Sequence, residues 1–125
     1  MEVIYDTGAL LCVERGNRQF LLYHRGLMAK DITPCVPAPV LAQAWRGGPQ
    51  AQLSRLLKSC QLEPMHETTA KAAGRACALA GTSDIVDATV VVTAAERDAT
   101  IVTSDDGDLK RIADAVGVAV HIRHV

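Results

Sequence analysis

Short apolar runs alternate with longer stretches of helical spacing from one end of this chain to the other. Glu2–Tyr5 reads as an extended run that stops at Asp6-Thr7-Gly8, and Ala9–Glu14 as a helix broken by Gly16-Asn17. Across Arg18–Lys30, the residues Phe20, Leu21, Tyr23, His24, Leu27 and Met28 recur at helical intervals, and Asp31–Val36 predicts a strand. Pro37 and Pro39 suit the first turn of a helix, where the missing N–H has no partner to lose. That helix carries Val40, Leu41, Gln43, Ala44 and Trp45 as far as Gly47-Gly48-Pro49. Gln50–Ser59 is helical, with Leu53, Leu56 and Leu57 on one stripe, and Cys60–Glu63 is extended.

Thr68–Ala80 predicts an alanine-rich helix closed by Gly81. Ser83–Asp98 is helical and apolar nearly all round, which predicts a central, buried helix. Thr100–Thr103 as strand, Leu109–Val116 as helix stopped by Gly117, and Val118–Ile122 as strand complete the order. Strands alternating with helices predict an α/β fold with a mainly parallel sheet covered on both sides.

With 125 residues the chain has room for one domain, residues 1–125, and no linker or internal repeat divides it. Aromatics are only 3% of a sequence that is 49% hydrophobic, so the core is assembled from Ala, Val and Leu contacts. A net charge of −1 excludes a binder that holds nucleic acid by bulk positive charge, though not an enzyme that meets it through bound cations. No run reaches the length of a membrane helix, and the N-terminal residues lack a secretory pattern, so no membrane and a cytoplasmic location are expected. Cys12, Cys35, Cys60 and Cys77 form no C-x-x-C pair and read as buried free thiols rather than zinc ligands.

The acidic residues are unevenly spread. Asp6 follows the first strand, Asp84 and Asp87 open the buried helix, and Asp105, Asp106 and Asp108 follow Thr100–Thr103. Ligands of open parallel sheets bind beyond the carboxyl ends of the strands, where Asp6 and Asp105 belong. Carboxylates gathered at one edge repel one another and raise their pKa values unless cations join them. Hard Mg²⁺ or Mn²⁺ is the matching partner, and such sites perform phosphoryl chemistry. Each motif also has a plain reading: a cap at Asp6, a capping pair at Asp84 and Asp87, and a solvated turn at Asp105–Asp108. Trp45 reads as a packing anchor, Arg46 as a cation suited to a helix C-terminus.

In combination, these segments resemble PIN-domain ribonucleases, most closely the VapC-type toxin half of VapBC toxin–antitoxin pairs. The residues concerned are Asp6-Thr7-Gly8-Ala9-Leu10, Val36-Pro37-Ala38-Pro39-Val40-Leu41, Asp84-Ile85-Val86-Asp87-Ala88, and Val102-Thr103-Ser104-Asp105 with Asp108-Leu109. The resemblance runs in order along essentially the whole chain. It implies a three-layer α/β/α sandwich, one or two Mg²⁺ or Mn²⁺ ions, and cleavage of RNA phosphodiesters. Asp6, Asp87 and Asp105 fall at metal-binding, catalytic positions, with Asp84, Ser104 and Asp108 in support. Arg46 becomes a candidate contact to RNA or to a partner. A fourth catalytic position, glutamate in the family, is Gln43 here, whose neutral amide weakens the expected metal affinity and turnover. The resemblance also implies a cognate antitoxin and a homodimer. The rival reading is a non-catalytic PIN-like binding domain with a decayed metal site. A phosphoacceptor receiver domain fits less well, because only Asp6 is acidic after the first strand.

Overall fold

β1 (Val3–Tyr5) is buried at every residue, as a strand covered on both faces must be, and all the other strands are arranged around it. The structure is a computed structural model that describes residues 1–125. After β1 come α1 (Thr7–Glu14), α2 (Arg18–Ala29), β2 (Cys35–Pro37), α3 (Ala38–Ala44), α4 (Ala51–Leu57) and β3 (Gln61–Glu63). The second half holds α5 (Glu67–Ala80), α6 (Ile85–Arg97), β4 (Thr100–Thr103), α7 (Gly107–Val116) and β5 (His121–His124). The strands form one parallel sheet in the order β3-β2-β1-β4-β5, with Ile4 opposite Cys35 on one side and Ile101 on the other.

The strand order places the site. The chain steps outward from β1 to β3, then returns to the other flank of β1 for β4 and β5. Right-handed crossovers in opposite directions send helices to opposite faces. Accordingly α1 packs with α2, α3 and α4, while α5, α6 and α7 pack on one another. The result is the expected three-layer α/β/α sandwich. Between β1 and β4 the connections diverge, and the carboxyl ends of strands at such a point are where open parallel sheets place their ligands.

The core contains 29 buried apolar residues, mostly Ala, Val, Leu and Ile, with Tyr5 and Phe20 the largest. Tyr5 and Phe20 meet edge to face, with ring centroids 5.1 Å apart. The Tyr5 hydroxyl is satisfied by a chain of hydrogen bonds through His24 and Ser59. Ser59 Oγ donates to the Leu56 carbonyl at 2.7 Å, so it accepts from His24 Nε2 at 2.9 Å. That leaves Nδ1 to accept from Tyr5 at 2.6 Å and fixes a neutral imidazole. The helix stops match their sequence signals: Gly81 and Gly117 take φ of 66° and 80° as left-handed C-caps of α5 and α7.

Several expectations shift. β2 starts at Cys35 rather than Asp31, and β5 spans His121–His124 rather than Val118–Ile122, because pairing with the neighbouring strand sets those limits. α6 begins at Ile85, since Asp84 is its N-cap. Trp45 is not a core anchor: it ends α3 and stays 41% exposed above Leu41 and Leu57. The four cysteines are free thiols, three buried and Cys60 partly so. No single helix is long and apolar enough to cross a membrane.

Candidate metal centre

Asp6 leaves β1 directly into α1, and its amide still pairs with the Val102 carbonyl at 3.0 Å. It occupies the N-cap position of α1, yet its side chain makes no capping hydrogen bond, so the plain capping reading fails. Instead Thr103, at the end of β4, donates its hydroxyl to Asp6 Oδ2 at 2.9 Å. The other oxygen, Oδ1, is buried without a partner. An orphaned carboxylate oxygen is costly, and a cation is its natural complement. Burial pushes the Asp6 pKa up; the charges of Asp84 and Asp105 add to this, against the pull of the Thr7 amide and the Thr103 hydroxyl.

A close approach holds the two strand ends together. A Cβ on Gly8 would lie 2.5 Å from Ser104 Oγ, 3.0 Å from the Ser104 amide nitrogen and 3.2 Å from Thr103 Oγ1. Only glycine lets the first turn of α1 seat against the loop after β4. Ser104 therefore has a packing role beside the site. Asp105 follows in that loop, exposed, its Oδ1 accepting from the Gly107 amide at 3.4 Å.

The carboxylates that converge most tightly are Asp84, Asp87 and Asp108, which present oxygens all within 4.8 Å of one another. Asp84 caps α6 by accepting from the Asp87 amide at 3.0 Å, so its capping role and its place in the cluster coexist. Asp108 arrives from the first turn of α7. Asp87 feels the crowding most: burial, then the charges of Asp6, Asp84 and Asp108, push its pKa up to about 7. Of the expected trio Asp6, Asp87 and Asp105, only Asp87 belongs to this tightest group. Asp6 borders it closely enough for its charge to act on Asp87, and Asp105 in turn acts on Asp6. Hard oxygen donors, an orphaned oxygen and carboxylates crowded enough to raise one another's pKa together fit a hard divalent cation.

Gln43 is exposed on α3, and its Oε1 accepts from the Thr7 hydroxyl at 2.6 Å, one residue from Asp6. Arg46 is turned back on its own helix, donating to the carbonyls of Trp45 at 2.8 Å and Ala42 at 3.4 Å. Two participants were not anticipated. Thr103 lies inside the Val102-Thr103-Ser104-Asp105 segment, so its position as the last residue of a strand was an available signal. Arg111 donates to Asp108 Oδ1 at 3.4 Å and to the Ala80 carbonyl at 3.3 Å; its i,i+3 spacing from Asp108 was the clue.

A family model described as PIN domain matches residues 3–115. No curated protein matches the sequence. Among solved structures, the chain resembles VapBC2 from Rickettsia felis bound to a promoter DNA fragment. The TM-score is 0.76 at 16% identity, with 100% of this chain and 99% of that one covered. DNA-bound VapBC from Salmonella typhimurium gives 0.69 at 14% identity, covering 99% and 98%. FitAcB from Neisseria gonorrhoeae gives 0.66 at 15%, covering 96% and 95%. At such identities the likeness is one of fold.

Proposed function

The chain belongs to the PIN domain family, whose members are generally nucleases, and on that premise we propose that it is the endoribonuclease toxin of a type II toxin–antitoxin pair. The observation that carries this reading is the orphaned Asp6 Oδ1, at the carboxyl end of β1, beside the Asp84–Asp87–Asp108 cluster. The residues that would hold Mg²⁺ or Mn²⁺ are Asp6, Asp84, Asp87 and Asp108, with Asp105 at the rim. When bound, a divalent ion supplies charge neutralisation at phosphoryl oxygens and acidifies water near neutral pH.

The chain's own residues define the rest. Thr103 fixes the Asp6 carboxylate through one oxygen and leaves the other free for a ligand. Asp87, whose pKa burial and the neighbouring carboxylates push up to about 7 in the metal-free chain, gives up its proton when it takes the ion. Gln43, held by Thr7, stands beside Asp6 where a carboxylate would add charge. RNA as substrate, a cognate antitoxin that covers the acidic edge, a homodimer and a cytoplasmic location complete the proposal. The test is RNA cleavage with Mn²⁺, with EDTA, and by the Asp6→Ala variant. Cleavage that survives EDTA or Asp6→Ala would defeat the reading.

Gln43 favours a second reading, a binding domain whose metal site has decayed, because the residue is neutral and already engaged by Thr7. Mn²⁺ binding without any RNA cleavage would select it.

A further inference from the structure

One of the chain's own cations already stands at the acidic edge. Arg111 lies one turn beyond Asp108 on α7 and is held from two sides. Its Nη2 donates to Asp108 Oδ1 at 3.4 Å, and its Nη1 donates to the carbonyl of Ala80, the last residue of α5, at 3.3 Å. Both partners are negative, since a helix C-terminus carries partial negative charge from its unpaired carbonyls. Lys110, the residue before it, pairs with Asp106, and Arg46 is engaged by its own helix end.

We infer that Arg111 is the resident counter-cation of this edge, occupying Asp108 until a divalent ion takes that carboxylate. The inference rests on the metal-dependent reading above and adds a competitor built into the chain. The contact is suited to exchange. Its side chains are 52% and 62% exposed, and ion pairs so open to water hold weakly. A divalent ion brings twice the charge and binds the oxygen directly, so it prevails. The guanidinium retains its anchor on Ala80 when Asp108 is taken. Arg111 thus relieves carboxylate repulsion in the metal-free protein and raises the free-metal concentration at which the site fills.

The test uses the full chain and Mn²⁺ alone, followed by calorimetry and by the electron paramagnetic resonance of free Mn²⁺ at low ionic strength. Arg111→Ala and Arg111→Gln are expected to bind Mn²⁺ about threefold to tenfold more tightly than the wild type, the effect of removing one nearby positive charge. Arg111→Gln keeps a donor for Ala80 and guards against loss of folding, which circular dichroism checks. Arg111→Lys keeps the charge and should stay near the wild type. In about 1 M KCl, where the screening length falls to about 3 Å, the differences should close. Folded neutral variants that bind Mn²⁺ no more tightly than the wild type would overturn the counter-cation role alone. Absence of Mn²⁺ binding by every form would overturn the metal-dependent reading, and this inference with it.

Discussion

Replacing Asp87 with Asn should stabilise the metal-free protein at pH 8. The Asp87 carboxyl keeps its proton to about 7 against 3.8 for an unperturbed group, because it is half-buried among Asp6, Asp84 and Asp108. A raised folded-state pKa gives stability that is fully present below the unfolded value and is lost as pH rises through the folded one. The window is therefore pH 3.8 to about 7. At 1.36 kcal/mol per pKa unit the ceiling is about 4 kcal/mol, and solvent screening of a half-exposed group reduces it to about 1–2 kcal/mol. Asn copies the protonated form in size and lacks the charge, so the variant escapes this loss. Thermal melts in EDTA should show the Asp87→Asn advantage widening from pH 4 to pH 7, then levelling at about 3–8 °C. His24 works in the opposite direction: burial lowers its pKa, so its contribution is present above 6.5 and lost as pH falls through its folded value. Comparing variant with wild type at each pH cancels that contribution. Saturating Mn²⁺ should reverse the order, because only the wild type gains the full binding energy. A gap that does not change with pH, or a wild type more stable than the variant at pH 8 in EDTA, would refute the reasoning.

Gly8→Ala should cost about 1–3 kcal/mol, since its methyl group meets Ser104 Oγ and the Ser104 backbone, and it should weaken Mn²⁺ binding by parting Asp6 from the β4 loop. A melting temperature and Mn²⁺ affinity equal to the wild type would show that the approach is not tight. Gln43→Glu should tighten Mn²⁺ binding and speed RNA cleavage at least about tenfold, equivalent to ~1.4 kcal/mol of barrier. Equal rates for both forms, each abolished by Asp6→Ala, would remove position 43 from the catalytic set.

The alternation of elements was legible in the sequence because each signal is local. Gly81 and Gly117 stop helices through their own backbone freedom, and Asp84 caps α6 from three residues away. Placing Asp6 and Asp105 at strand ends needed only the extended runs before them and the parallel α/β pattern. The PIN-domain motifs added the order of the acidic positions. Which carboxylates meet was a different matter. Asp84 and Asp87 are neighbours by helical spacing, but Asp108 joins them only because α7 packs on α6 across the face of the sheet. The same packing sets Arg111 between Asp108 and the end of α5. Gly8 carried no local mark of its role, since the atoms it must admit belong to a strand end about a hundred residues later. Nor could periodicity show that Tyr5 reaches Ser59 through His24, or that Trp45 stays exposed. Local propensity and spacing fix which elements form. Contacts between residues distant in sequence, decided by strand order and helix packing, fix which charges share an edge and which side chain answers them.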